Sequence, residues 1–397
     1  MSQSTTYDAI VIGAGVVGAA TAYYLRRFGK LRVLVLERGA VCSGGTAKSC
    51  AIIRSHYSIP SNTQLTLKSL GIFADFAAAL EDSDAHSGFI NSGYLIVAAP
   101  GKWADGLRDN LAMQSGVGAD THVIDITQAH GLHPGLNLAD VDVVGYEPNS
   151  GYADPYLTTS SYINAARKRG VTVKTATPVT SLIADGGQVV GVRTSNGDFS
   201  AAAVVSAIGP WTQPLLATLG YDLHLEVSRH IVLTFRGDTP YAQTTPVVKD
   251  LTASNKMYFR PASGGVVLTG TGDHGDPVTD PESMDAHVGD DFVVLQGTQL
   301  AKRMPAFSAA QLTASWIGPY DITPDWNPVL GPLPGVDGLH VAYGFSGHGF
   351  KLSPAVGYCL AQQILGQQPD VSLHPYRWSR FADGELLHGR YGEGSIS

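Results

Sequence analysis

Apolar and polar positions change their period along this chain, and the changes mark its elements. Tyr7–Ile12 is a short apolar run that ends in glycine. Val16–Phe28 then sets Val17, Ala20, Tyr24 and Leu25 at helical spacing, and Gly29 stops it. Arg32–Leu36 is a second apolar run, with Glu37 at its tip. Strand, helix and strand in that order predict a βαβ unit. Val41–Gly45 reads as a turn, and Thr46–Tyr57 as irregular or extended. Ser61 and Gln64 have capping-box spacing and predict a helix to about Leu80. Gly88–Ala99 reads as strand and Lys102–Gln114 as helix. Asp154 and Pro155 open a helix to Arg169, which Gly170 ends.

From there the period shortens. Strands are expected at Val171–Lys174, Val179–Ala184, Val189–Thr194 and Phe199–Ser206, with an Asn196-Gly197 turn before the last. More follow at Leu223–Phe235, Lys256–Arg260, Val266–Thr269 and Gln311–Ile317, interrupted by a helix at about Ala286–Lys302. The chain closes with a strand at Leu339–Ala342 and a helix at Leu352–Leu365. There is no internal repeat.

Chemistry concentrates at the two ends. Gly13, Gly15 and Gly18 form G-x-G-x-x-G between the first strand and helix. Gly13 permits the tight turn, Gly15 lets the backbone approach a pyrophosphate, and Gly18 lets helix and strand pack closely. The free N–H groups of the helix start suit phosphate, and Glu37 suits a ribose hydroxyl. Gly270-Thr271-Gly272-Asp273-His274-Gly275 has the same spacing, but Asp276-Pro277 follows and no amphipathic helix opens there. A second dinucleotide site is therefore not expected. The first motif alone leaves FAD and NAD open. An α/β start, a β-rich middle and an α/β finish predict an α/β (α+β) fold: a Rossmann-like nucleotide domain with an inserted, mainly antiparallel sheet domain. The expected division assigns 1–85, 145–220 and 321–397 to the nucleotide domain. It assigns 86–144 and 221–320 to a substrate domain.

Bulk properties narrow the function. At 397 residues, with 44% hydrophobic and 15% charged positions, the chain can bury a large core. A net charge of -8 without a basic stripe gives no reason to expect nucleic acid. No apolar run reaches about 18 residues, so no membrane helix is expected, and Met1–Tyr7 lacks the features of a secretory signal. Cys42, Cys50 and Cys359 show no metal-ligand spacing, and no metal site is expected. An odd cysteine count suits a reducing compartment, with the cytoplasm as default. Monomer and homo-oligomer both remain open.

Near the C-terminus, GFSGHGFK precedes the last helix, with GPYDITPDWNPVLGP upstream of it. With the N-terminal fingerprint and GGTAKSCAIIRSHYS, these stretches resemble the D-amino-acid oxidase superfamily of FAD-dependent oxidoreductases. The branch they most resemble is that of sarcosine oxidase, glycine oxidase and dimethylglycine dehydrogenase. The resemblance spans Tyr7 to about Leu365. It implies FAD at the interface of a nucleotide domain and a sheet domain. It also implies oxidation of the C–N bond of an amino acid, with a secondary (N-alkyl) amino acid such as sarcosine, or a related amine, as the expected substrate. Hydride would pass to flavin N5, and the resulting imine would be hydrolysed. The alternatives are a primary D-amino acid or glycine oxidase, or the flavin subunit of a larger amine dehydrogenase complex. Oxygen or another acceptor would reoxidise the flavin.

By the same resemblance, Arg54 and Lys351 hold the substrate carboxylate, His348 lies beside the flavin, and Tyr258 lines the pocket. The implied cofactor set is Gly13, Ala14, Gly15, Val17, Gly18, Glu37, Arg38, Gly45, Thr46, Lys48, Val179, Gly209, Trp211, Gly347, Gly349 and Phe350. Gly318 stands where covalently flavinylated sarcosine oxidases have cysteine, and Lys48 where the dimethylglycine dehydrogenase type has histidine. Non-covalent FAD is therefore expected. Thr269 stands where monomeric sarcosine oxidases carry an oxygen-linked lysine, and Tyr320 where glycine oxidase carries an arginine. On residue chemistry alone, Lys351 in a first helical turn opposes the helix dipole unless an anion lies there. Arg54 after an apolar stretch offers a two-bond fork to a carboxylate.

Overall fold

In the computed structural model, which describes residues 6–272 and 276–390, the two ends of the chain meet in one sheet. Ala9–Ile12 lies at its centre, parallel to Val33–Leu36 on one side and to Ala203–Ser206 on the other. Thr172–Lys174 extends it beyond Val33–Leu36, and Leu339–Tyr343 beyond Ala203–Ser206, both parallel. The edge strand Val329–Pro332 is antiparallel. Every residue of Ala9–Ile12 and Val33–Leu36 is buried. Near-continuous apolar runs of this kind belong to sheets covered on both faces.

One cover is helical. Val16–Gly29 packs against Pro155–Lys168 and Gly349–Ile364. A Cβ on Gly357 would lie 2.6 Å from the Cβ of Ala20, so the first and last long helices cross closely because Gly357 has none. The other cover is an antiparallel sheet of Val179–Asp185, Gln188–Thr194 and Gly197–Ser200. Its Leu182, Val192 and Phe199 pack against Ile10 and Leu34.

A second, larger sheet is mainly antiparallel. Gln311–Ile322 pairs with Glu226–Arg236, which pairs in turn with Val266–Gly270. Tyr258–Ala262, Val247–Asp250, Tyr94–Ala98, Val143–Glu147 and His122–Ile124 follow. Within it, Val247–Asp250 runs parallel to Tyr94–Ala98. One face packs Leu95, Val97, Val248 and Phe259 into an apolar core with Leu300 and Phe307. The other places Ile96, Lys249, Tyr258, Gly270 and Val232 in one row of register partners across five strands. That face meets Ile52 and Tyr152 of the short ribbon Ile52–Ile53 and Gly151–Tyr152. The mixed α/β class expected from the pattern is the class observed.

Several local expectations need correction. Phe199–Ser206 is two strands in different sheets, Gly197–Ser200 and Ala203–Ser206. The Ser61/Gln64 box does not form: the helix is Pro60–Ala74, with Pro60 setting the first turn and Ile59 before it. Asp75 breaks that helix and caps the short turn Phe76–Ala79 by accepting from the Ala78 N–H at 3.1 Å. A capping box does form at Asp125 and Gln128, ahead of an unexpected helix, Ile126–Leu132. The helix expected from Ala286 begins at Asp290. The four-residue strand Val247–Asp250 shows no period in the sequence and is not among the expected strands. The expected boundary at 144/145 falls inside the strand Val143–Glu147.

Candidate active site

The glycine-rich turn is built as its spacing requires. Gly13 adopts φ +101°, and a Cβ there would stand 2.6 Å from the Ala207 carbonyl oxygen. A Cβ on Gly18 would fall on the Gly13 carbonyl. Gly15 precedes the helix, whose first turn carries no acidic residue. Val16 N–H donates to Thr46 Oγ1 at 3.2 Å, which docks the Gly45–Lys48 turn onto this helix start. Glu37 accepts from Ala14 N–H at 2.9 Å and from Gly39 N–H at 2.7 Å. A carboxylate offers about four lone-pair sites, so capacity remains for ribose hydroxyls.

These groups open onto a cavity of about 500 Å³, within the range of ligand pockets. Gly13, Gly15, Val17, Glu37, Arg38, Gly45, Thr46, Lys48, Val179, Gly209, Trp211, Gly347, Gly349 and Phe350 line it. Ala14 and Gly18 lie beneath the wall and shape it. Arg38 pairs with Glu282 and stacks 4.2 Å above Trp211. The Trp211 indole N–H is buried without a hydrogen-bond partner among the described residues, a donor that a bound group would satisfy. The exposed Lys48 presses its Cβ toward Gly318, 2.7 Å from where a Cβ would sit. A cysteine at 318 would have no room.

Part of the cavity wall is aromatic. Tyr320 packs on Gly347, where a Cβ would come 2.5 Å from its ring. His230 stacks on Tyr320 at 4.2 Å and 8°. Its Nε2 lies 2.8 Å from the Tyr258 hydroxyl. Burial, helped by the charge of Lys249, pushes His230 down to about 3, so the ring is neutral at physiological pH. Burial pushes the Asp321 carboxyl up to about 6, although it accepts from the Gly344 N–H at 2.7 Å.

Arg54, Lys351, His348 and Tyr258 are buried and stand outside the cavity lining. The first three gather around the Tyr57 ring. Arg54 lies 4.8 Å from its centre, Lys351 Nζ 6.0 Å, and the His348 ring 5.2 Å. The two cations from opposite ends of the sequence thus converge. Lys351 is 5% exposed, and burial followed by the charge of Arg54 pushes its ammonium well below the usual lysine range. Its Nζ donates to the Gly347 carbonyl at 3.4 Å. Arg54 donates to the His56 carbonyl. Its loop is held by Glu147, which accepts from Ser55 N–H at 2.8 Å and from the Ser150 hydroxyl at 2.6 Å. Burial raises the Glu147 carboxyl, and burial with the Arg54 charge lowers His56 to about 3.

Local periodicity does not mark Lys249, Glu147, His230 or Cys50 as site residues. Lys249 sits on a four-residue strand before a turn, a pattern that reads as surface. Cys50 lines the cavity, and its carbonyl accepts from Arg260 Nε at 2.6 Å. Conversely, the Thr323–Asn327 stretch is structural: Asp325 grips Arg380 at 2.7 and 2.8 Å, with both side chains fully buried. Gly272 of the second G-x-G-x-x-G abuts Lys249, and the strand Pro277–Val278, not a helix, follows. Asp273, His274 and Gly275 lie outside the described residues. Among the described residues, no cluster of His, Cys, Asp and Glu could hold a metal ion. No helix there is long and apolar enough to cross a membrane.

The family model for FAD-dependent oxidoreductases (DAO) matches residues 8–363, and the chain belongs to that family. The FAD-dependent oxidoreductase domain-containing protein 1 of Bos taurus is 28% identical over 95% of this chain and 85% of its own length. Sarcosine oxidase subunit beta of an Arthrobacter species is 27% identical over 97% of this chain and 94% of its own. Among solved structures, the L-proline dehydrogenase of P. horikoshii superposes with a TM-score of 0.89 at 25% identity, covering 97% of this chain and all of that one. The protein is an FAD-dependent oxidoreductase, and the cleft offers groups that suit FAD: a glycine turn at a helix start, a carboxylate with spare acceptor capacity and an orphaned indole donor.

Proposed function

We propose that this enzyme oxidises the C–N bond of an amino acid, with secondary (N-alkyl) amino acids as the preferred class. The observation that carries this reading is the convergence of Arg54 and Lys351, both buried, on the Tyr57 ring, with Lys351 Nζ donating to the carbonyl of Gly347 in the cleft wall. Two buried cations side by side call for an anion, and a substrate carboxylate supplies it. Sarcosine and L-proline, named in two of the relatives above, are both secondary amino acids.

Each part of the chain then has a task. The Gly13–Gly15 turn and the first helix start hold the pyrophosphate, and Glu37 holds the ribose. When bound, FAD accepts a hydride equivalent at N5. Arg54 and Lys351 fix the carboxylate and so orient the neighbouring C–H. His230 and Tyr320 line the cleft, and Tyr258 backs them through its hydroxyl contact with His230, which excludes water. A neutral amine gives up electron density, so the substrate reacts in its deprotonated form and no protein base is required. The crowding of Gly318 by Lys48 supports non-covalent FAD, which acid precipitation should leave in the supernatant. Kinship with a subunit beta supports a second reading, in which a partner subunit completes the activity.

The test is anaerobic mixing of the yellow holoenzyme with a panel of amino acids. Bleaching by N-alkyl amino acids, faster as pH rises through the bound amine's pKa, is expected. A flavin that no amino acid or amine bleaches overturns the reading. Readmitted air tests oxygen as acceptor, and weak turnover would direct the search to a partner subunit.

A further inference from the structure

Lys249 is a third cation in the same interior. It is 1% exposed, and its Nζ has no hydrogen-bond partner among the described residues. Its strand pairs it with Ile96 on one side and Tyr258 on the other, so it shares the sheet face of Tyr258 and Val232. Nζ lies 5.7 Å from the centre of the Tyr258 ring, next to Gly272. Burial, then the charge of Arg54, pushes its ammonium down to about 7, and its own charge depresses both Lys351 and His230. The neighbouring carboxylates do not neutralise it. Asp250 turns away to Arg303 at 2.8 Å, and Glu147 accepts from Ser55 and Ser150 with its carboxyl raised by burial. The interior thus holds Arg54, Lys351 and Lys249, while the buried carboxylates Asp250 and Glu147 are engaged by other partners. One substrate carboxylate serves the Arg54–Lys351 pair and leaves Lys249 an unpartnered buried ammonium, which is costly unless a ligand answers it.

We propose that Lys249 is a second anion site, on the sheet face it shares with Tyr258, and that the substrate is an amino acid bearing two carboxylates. Arg54 and Lys351 hold the carboxylate beside the reacting carbon, and Lys249 holds the distal one. This rests on the amino-acid oxidation reading above and names the substrate class within it.

The test uses the FAD-loaded enzyme and its Lys249→Met variant, in which a flexible side chain of similar length replaces the ammonium. Anaerobic flavin reduction is compared for N-methylaspartate and N-methylglutamate against N-methylasparagine, N-methylglutamine and N-methylalanine. A charge-assisted contact is worth about 10- to 150-fold in affinity. Wild type should favour the diacids in kcat/KM by that margin. Lys249→Met should lose it through KM and leave the neutral analogues nearly unchanged. A second readout needs no turnover: succinate, but not butanoate, should perturb the visible flavin band and raise the Tm of wild type, and should do neither in the variant. Diacids no better than their neutral isosteres, or a variant whose kcat falls equally for both sets, overturn the site and leave the oxidation reading standing. If nothing bleaches the flavin but succinate still binds wild type alone, the site stands and the oxidation reading falls.

Discussion

At the scale of single residues, the site is governed by cations held away from water. Arg54 and Lys351 converge on Tyr57 although the sequence separates them by almost its full length. Arg54→Ala and Lys351→Met should each raise KM about 10- to 150-fold, the range of a lost charge-assisted bond. FAD should stay bound, which the flavin spectrum of the purified variants checks. Lys249 adds a pH signature. Its folded pKa is lowered to about 7, whereas an unfolded lysine titrates near 10.4. Between those values the unfolded chain binds the extra proton, so this group's contribution to stability rises with pH. Lys249→Met should therefore be more stable than wild type, most of all at pH 7 and below, with the gap closing toward pH 10. Parallel urea melts across that range check it; a gap that widens with pH contradicts the burial argument. Arg54 and Lys351 were recognisable from their motifs. Lys249 was not, because a lysine in a four-residue run looks exposed until both neighbouring strands are in place.

At the scale of elements, glycine decides which surfaces can touch. Gly357 brings the last long helix onto Ala20 of the first, and a Cβ would also meet backbone atoms of Ala20 and Thr21 at 2.8 Å. Gly357→Val should cost about 1–3 kcal/mol by overpacking and weaken FAD binding, because both helices begin at the cofactor cleft. Gly71 is the internal control. It is exposed inside Pro60–Ala74, with nothing within 4 Å of where a Cβ would stand. Gly71→Ala should stabilise by about 0.4–1 kcal/mol. Urea midpoints read both changes. The βαβ unit was legible because strand, turn and helix are contiguous there. The run Phe199–Ser206 was not, because one uninterrupted stretch serves two sheets.

At the scale of the whole molecule, buried ion pairs tie the late chain segments in place. Asp325 binds Arg380 through two hydrogen bonds, and also accepts from Leu387 N–H at 3.1 Å. Burial alone would raise its carboxyl, but Arg380 outweighs that and holds it below the usual range. Asp325→Ala leaves Arg380 buried without its partner and should cost about 3–5 kcal/mol. A large drop in Tm, with little change in KM for enzyme that remains folded at low temperature, is the expected result. A selective loss of substrate affinity would instead move Asp325 into the substrate chamber. The family-like stretch around Asp325 was easy to notice in the sequence, yet its work is to anchor the Arg380 region.

The sequence by itself determined the nucleotide turn, the helix that follows it, the acidic strand tip and the two conspicuous cations. Each depends on residues close together in the chain, where period, glycine placement and charge can be read directly. The tertiary structure decided which of the remaining polar groups turn inward. Ile96 must meet Lys249, and Lys249 must meet Tyr258, before that lysine has an inside. A one-residue slip in either register would turn it to the opposite face of the sheet. Pairing between distant strands sets that choice, and no local pattern encodes it.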